Sequence, residues 1–439
     1  MDLTKIIVLD DDPTGCQTVH SCLVLTRWDA ATLRSALVDS SPLFFVLTNT
    51  RAMSSHDAAR VTREVCRNLR NTLEALEQVG VLINPILVSR SDSTLRGHYP
   101  VETDVIAEEL GPFHAHFLVP AFFEGGRITR QSTHYLKVAD KWVPVHETEF
   151  ARDSVFSYSH SYLPEYVQEK TAGRIHASDV ERFLLADVRG ETLPRLMALD
   201  GNRCCAVDAE KQGDLDMFAA QVKQAATMGK LFLFRSAASL LTSLANLPPQ
   251  PVPAEQMSRY VRDGRAGAVV VGSHVSKTTG QLNRLLAAND TVGIEIDVEQ
   301  IDTNRTTLLA DIVARTERAH AEGATPVIYT SRTEKSFADV STRLAFGQRV
   351  SDFLMAVVHN LPPTIGYLIS KGGITSNDVL SKGLELRSAR VLGQILAGCS
   401  VVRCPVDHPR YPQLPVVIFP GNVGDENALA TVYHRLRGD

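Results

Sequence analysis

The chain has 439 residues, of which 44% are hydrophobic and 22% charged, and its formal net charge is -5. This length exceeds a single ordinary core and predicts two domains, and the composition is that of a soluble globular protein. With no basic excess a nucleic-acid partner is not expected, and with neither a signal-peptide pattern nor a membrane-length apolar run the reading is cytoplasmic, without membrane contact.

The first element in chain order is the apolar run Ile6-Ile7-Val8-Leu9, which reads as a buried strand delivering Asp10-Asp11-Asp12-Pro13-Thr14-Gly15 to a sheet edge. Three adjacent carboxylates repel one another, so their clustering calls for a metal ion, a proton or a basic contact. Further apolar runs at 44–47, 86–88, 116–119, 204–207 and 231–234, with helical stretches such as 58–79 between them, predict a parallel sheet flanked by helices. The stretch 133–145 breaks this rhythm and reads as a hairpin about Ala139-Asp140. The polar segment 146–174, holding Tyr158, His160, Tyr162 and Tyr166, suits either a flap over a site or a packed excursion.

Four prolines in the six residues 248–253 can neither continue a helix nor sit inside a sheet. They divide the chain into a domain over 1–246, a proline-rich linker over 247–255 and a domain over 256–439. In the second domain, strands are predicted at 268–271, 293–296, 326–329, 366–369 and 416–419, and long helices at 304–321 and 337–360. The fold class is therefore α/β: two domains, each a mainly parallel sheet flanked by helices, with a hairpin or flap insertion in the first. The seven cysteines show no CxxC spacing, which argues against a zinc module and a disulfide framework.

Three loops of the second domain share one design. Gly272-Ser273-His274-Val275-Ser276, Lys371-Gly372-Gly373-Ile374-Thr375 and Gly421-Asn422-Val423-Gly424 each follow a strand and precede a helix. Glycine lets the backbone approach an anion, and a helix start presents free N–H groups, so the three together suggest a nucleotide pocket. The sequence contains no GxxxxGK[ST] P-loop. In the first domain, Arg90-Ser91-Asp92-Ser93-Thr94-Leu95-Arg96 packs two guanidiniums, an acid and hydroxyls into one turn, a mixture suited to a small polyhydroxy acid. Arg51 and Arg127 are expected at the same edge. Taken alone, Asp10-x-Asp12-x-Thr14 also resembles the opening motif of haloacid-dehalogenase-like phosphatases, with Asp10 as nucleophile, and Gly424-Asp425-Glu426-Asn427 faintly echoes their later acidic motif. A non-catalytic sensor of sugar acid or nucleotide is the third reading.

In combination and order, Asp11-Asp12-Pro13-Thr14-Gly15, Asp92-Ser93-Thr94-Leu95-Arg96-Gly97, Pro120-Ala121-Phe122 with Gly126-Arg127, Lys371-Gly372-Gly373-Ile374-Thr375 and Gly421-Asn422-Val423-Gly424 resemble the four-carbon acid sugar kinases over nearly the whole chain. The resemblance implies an N-terminal domain for the sugar acid and a C-terminal domain for ATP. The phosphate would pass to a hydroxyl of a compound such as threonate, erythronate or 2-oxo-tetronate. On this basis Asp12 is expected as general base, with Asp11 supporting it or holding Mg2+ through water. Arg51, Arg90, Ser91, Asp92, Ser93, Arg96 and Arg127 are expected on the substrate. Gly272, Ser273, Ser276, Lys371, Gly372, Gly373, Thr375, Gly421, Asn422 and Gly424 are expected on ATP. The metal ligands are left open, as is oligomeric state, for which a homodimer is one compatible assembly. The first motif departs from the family pattern at Asp10 and Pro13, and Arg90 stands where lysine is common.

Overall fold

A computed structural model describes residues 2–273, 275–332 and 340–439. It divides into two compact units, Met1–Pro248 and Pro249–Asp439. The N-terminal unit carries the strands β1 (Asp2–Asp10), β2 (Leu23–Leu25), β3 (Leu43–Leu47), β4 (Leu82–Arg90) and β5 (Ala115–Val119), then β6 (Arg127–Arg130), β7 (Thr133–Val138), β8 (Lys141–Pro144), β9 (Glu181–Phe183), β10 (Arg203–Val207) and β11 (Phe232–Ser236). Eight of them form a sheet in the order β2-β3-β1-β4-β11-β5-β10-β9, and every neighbouring pair is parallel. Helices cover both faces of such a sheet, which is why Leu-Phe-Phe-Val-Leu of β3 and Ala-His-Phe-Leu-Val of β5 are buried along their whole length. The helix Ser55–Gln78 shows how the cover forms. Ser54 caps its start by accepting a hydrogen bond from the Asp57 N–H at 3.1 Å, and Ala58, Val61, Val65, Leu69 and Leu76 recur on one buried face.

The strands β6, β7 and β8 make a separate antiparallel sheet, with the expected turn at Ala139. The segment after it is anchored: Leu163, Tyr166 and Val167 of the helix Leu163–Lys170 are buried, as is Tyr158.

The C-terminal unit carries β12 (Ala268–Val271), β13 (Thr291–Ile296), β14 (Thr325–Thr330), β15 (Leu368–Lys371), β16 (Ser388–Leu396), β17 (Cys399–Arg403) and β18 (Pro415–Phe419), in the order β13-β14-β12-β15-β18-β17-β16. The first five are parallel, and β17 runs antiparallel to both β18 and β16. The expected strand at 366–369 lies two residues further on, because the chain buries Lys371 as its last strand residue. The helices expected at 304–321 and 337–360 run over Arg305–Ala321 and Val340–His359, and 337–339 lie outside the described residues. Among the described residues no helix is long and apolar enough to cross a membrane. All seven cysteines are buried.

Candidate active site

Parallel pairing sends the C-terminal ends of the N-terminal unit's strands to one edge. The register sets Asp10 beside both Leu47 and Arg90, and Arg90 beside Ser236, so charged side chains from separate segments meet where the apolar strands stop. Such an edge is where open α/β sheets hold ligands. Arg51, on the single turn Thr50–Ala52 after β3, grips Asp11 through Nη2 at 2.5 Å and Nε at 3.1 Å, and reaches Asp12 through Nη1 at 3.4 Å. Asp12 also accepts the Thr14 N–H at 2.9 Å and the Thr14 hydroxyl on one oxygen.

The three acids are shifted differently as a result. Burial pushes Asp10 up to about 8, with Arg90 opposing the shift and Asp11 and Asp12 adding to it. Burial also raises Asp11 against the pull of Arg51. Asp12 is desolvated as well, but Arg51, Arg90 and the two Thr14 bonds outweigh that and hold it below the usual carboxylate range. Asp12 is thus held ionised, and 22% of its side chain reaches solvent. Asp10 is a neutral buried acid near pH 7. Gly15 lies directly over its carboxyl, since a Cβ at Gly15 would stand 1.9 Å from Oδ2. Covered by Gly15 and raised by burial, Asp10 is poorly placed for the nucleophilic role that the phosphatase alternative gives it.

The Asp92 turn joins the same cluster. Asp92 accepts Arg96 Nε at 2.8 Å and the Thr94 hydroxyl, and although burial opposes it, Arg51 and Arg96 hold it well below the usual range. Arg96 also reaches Asp153 at 3.4 Å and lies 5.0 Å from the centre of the Phe150 ring. Ser91 is buried and its N–H donates to the Ser236 carbonyl at 2.9 Å, while Ser93 offers its carbonyl to His134 Nε2 at 2.8 Å. Burial lowers His134 to about 4, so the ring is neutral, with Nδ1 facing the Thr129 hydroxyl at 2.9 Å. Arg127 stands at the start of β6, close enough to Asp92 and Arg96 to feel both charges.

Two arginines keep unsatisfied nitrogens here. Arg90 Nε and Nη1 and Arg127 Nε are buried without a hydrogen-bond partner among the described residues. Asp10 and Asp11 lie 3.6 and 3.8 Å from Arg90 Nη1, too far for hydrogen bonds. Each of these guanidiniums therefore has room for an anionic acceptor.

In the C-terminal unit β12, β15 and β18 are adjacent and parallel, so the three glycine loops emerge at one edge. They touch. A Cβ at Gly272 would strike Thr375 Oγ1 at 2.3 Å, and one at Gly421 would lie 3.5 Å from Ser273 Oγ. Gly372 has φ 121°, which side chains avoid, and it brings the chain against Ser273 before the helix Gly373–Asp378 begins. Thr278 ties the set by donating to Ser273 Oγ at 3.1 Å or to the Gly421 carbonyl at 3.3 Å. Lys371 Nζ donates to the carbonyls of Pro420 at 2.7 Å and Gly421 at 3.2 Å, and lies 4.0 Å from the centre of the Phe419 ring. Asn422 and Gly424 are exposed on the third loop, where Lys277 Nζ reaches the Asn422 carbonyl at 3.3 Å and Gln281 bonds Val423 and Asp425 on either side of Gly424. Ser276 is exposed at the first turn of the helix Ser276–Leu286 and is not joined to the other two loops; His274 lies outside the described residues.

Residues 6–244 match the family model of a sugar-binding N-terminal domain, and residues 268–429 match that of a nucleotide-binding C-terminal domain. The chain belongs to the four-carbon acid sugar kinase family. Members similar to it include a D-erythronate kinase of Heliobacterium modesticaldum, 25% identical over 312 residues, which is 68% of this chain and 64% of the relative. Another is a D-threonate kinase of Bordetella bronchiseptica, 30% identical over 165 residues, 36% of this chain and 37% of the relative. The chain thus aligns with less than two thirds of the length of these curated relatives. The fold is shared with a Haemophilus influenzae protein, at TM-score 0.65 and 16% identity over 98% of this chain and 100% of that one. It is also shared with a Salmonella typhimurium protein described as a tRNA synthase, at TM-score 0.68 and 17% identity over 99% and 98%.

Within this four-carbon acid sugar kinase family member, several residues of the cluster carry no motif. Arg235 Nη1 donates to Glu102 Oε2 at 2.5 Å and to Ser89 Oγ at 2.7 Å, and Thr50 donates to Glu102 Oε1 at 2.6 Å, forming a buried support behind Asp11. Tyr158 and Tyr166 donate their hydroxyls to the carbonyls of Thr94 at 2.7 Å and Leu95 at 2.8 Å. A signal existed for Arg235, since the apolar run Leu231-Phe-Leu-Phe is followed at once by a charge just as Ile86-Leu-Val-Ser is.

Proposed function

We propose that the protein transfers the γ-phosphoryl group of ATP to a hydroxyl of a small sugar acid, of the four-carbon class that includes erythronate, threonate and 2-oxo-tetronate. The N-terminal unit holds the acid and the C-terminal unit the nucleotide. The observation that carries this reading is the ionised, partly open Asp12 beside Arg90, whose buried nitrogens lack an acceptor. In the reaction the substrate hydroxyl oxygen bonds to the γ-phosphorus, the bond from that phosphorus to the β-γ bridging oxygen breaks, and ADP leaves. The hydroxyl proton passes to Asp12. Phosphoryl transfer through a loose transition state needs positioning more than a strong base, so an Asp12 held below the usual carboxylate range suffices. Arg51 fixes Asp12, and Asp11 fixes Arg51. Arg90 and Arg127 take the carboxylate of the acid, while Ser91, Asp92, Ser93 and Arg96 shape the surroundings of its hydroxyls.

Magnesium would neutralise the phosphates of the bound nucleotide. Among the described residues no group of three or more His, Cys, Asp or Glu is arranged to hold a metal ion. Asp11, expected as a possible partner through water, has both oxygens on Arg51, so this set does not fit a dedicated magnesium site. ATP as donor assigns the reaction to the cytoplasm.

The test is ADP release with each tetronate in turn. At least one acid should support turnover, and Asp12→Asn should lower that turnover by at least ~10²-fold while leaving ADP affinity nearly unchanged. Failure of every acid, or near-normal turnover by the variant, would overturn the reading or the role of Asp12 respectively.

A further inference from the structure

Three cations stand around the glycine loops of the C-terminal unit, and each rests on neutral oxygen. Lys277 bonds the Asn422 carbonyl and Lys371 the carbonyls of Pro420 and Gly421. The third cation, Arg332, belongs to none of the loops. It follows β14, which pairs with β12, and so emerges at the edge where the first loop leaves β12. Its Nη1 donates to the Ser273 carbonyl at 2.7 Å, and its Nη2 and Nε donate to Thr279 Oγ1 at 2.8 and 3.2 Å.

Arginine has five N–H donors, so two remain after these three bonds. Among the described residues no carboxylate forms an ion pair with Arg332. Those near the loops are committed elsewhere or exposed: Glu426 lies 3.8 Å from Arg284, and Asp425 accepts the Asn427 N–H at 3.0 Å. Glu295 and Tyr329 act on Arg332 only through their charge, and partial burial lowers its affinity for its proton despite them. A half-buried guanidinium with no counter-ion among the described residues gains from an anion that comes to it. Its bonds also fix the position of Ser273, the residue against which the other two loops pack.

We infer that Arg332 is a polyphosphate-binding and loop-positioning residue of the nucleotide pocket, tying the first glycine loop to the following helix and supplying charge for a nucleoside di- or triphosphate. This rests on the nucleotide reading of the C-terminal unit and extends it to a residue outside the three loops. The family motifs do not include it.

The experiment is calorimetric titration of the full-length protein, of Arg332→Gln and of Arg332→Lys with ADP and with adenosine. Arg332→Gln should weaken ADP about tenfold, the size of one charge-assisted hydrogen bond, and leave adenosine unchanged. Arg332→Lys keeps the charge but not the forked bond to Thr279, and should fall between. Should Arg332→Gln fold poorly, the Lys variant alone still decides, through its ADP-to-adenosine affinity ratio. Equal weakening of both ligands marks a merely structural role and overturns the inference. So does an Arg332→Gln variant that binds ADP as wild type does, while the nucleotide reading stands. Wild-type protein that binds no adenine nucleotide overturns that reading and the inference with it.

Discussion

At the strand ends of the N-terminal unit, acids and arginines answer one another: Arg51 holds Asp11 and Asp12, Arg96 holds Asp92, and Arg235 holds Glu102. In the C-terminal unit, Lys277, Arg332 and Lys371 lean on carbonyls and a hydroxyl instead. The first arrangement is internally compensated, held in shape by its own ion pairs with a few groups left unsatisfied. The second has cationic side chains that rest on neutral oxygens and, among the described residues, on no carboxylate. A small polyhydroxy acid suits the former and a polyphosphate the latter.

The largest effect should come from breaking the compensation. Glu102→Ala leaves Arg235 buried without its partner and should destabilise the protein by ~3–5 kcal/mol, read from chemical denaturation. A loss below about 1 kcal/mol would place that pair among weak surface bridges. On the other side of the comparison, Gly372→Ala forces a side chain into φ 121° with Thr375 Oγ1 3.0 Å and Ser273 Cβ 3.1 Å away. Strain of order 1–3 kcal/mol at the loop should weaken ADP about tenfold and leave the sugar-acid Michaelis constant alone. An equal effect on both substrates would contradict the separation of the two sites.

The smallest effect sharpens the contrast in charge. Burial lowers Lys371 to about 7, with Cys399 opposing and Lys277 adding to the shift. A phosphate beside it favours the protonated form and raises that pKa, so binding takes up protons where the free amine is largely neutral. ADP binding should therefore take up close to one proton at pH 8 and almost none at pH 6, and affinity should fall as pH rises above about 7. Titration in two buffers of different ionisation enthalpy measures this, and zero uptake at pH 8 would remove Lys371 from the phosphates.

Much of the fold was legible because parallel strands buried on both faces are continuous apolar runs, and because charges placed just after such runs must come to one edge. Asp10 to Asp12, Arg51, Arg90 and the three glycine loops all announce themselves in that way. The sequence also posed a question that only geometry answers, namely what offsets three adjacent acids. Burial favours the proton on Asp10, and Arg51 and Arg90 together offset its two neighbours. Other features carry no motif that shows their pairing. Glu102 and Arg235 meet across 133 positions of chain, and Arg332 follows a strand with no glycine to mark it. β16 and β17 were missed because β16 alternates buried and half-buried residues around Gly393, a weaker pattern than a continuous run. Lys371 read as loop because a charged residue is rarely the buried end of a strand.

The tyrosines of the inserted lobe bear on how this enzyme class could diversify. Tyr158 and Tyr166 hold the Thr94 and Leu95 carbonyls from outside the sheet, so the turn that bears Asp92 and Arg96 is aimed by one piece of chain while Asp12 and Arg51 are fixed by another. Selection can then shift the lobe by small repacking steps and re-aim Asp92 and Arg96 without disturbing Asp12 and Arg51.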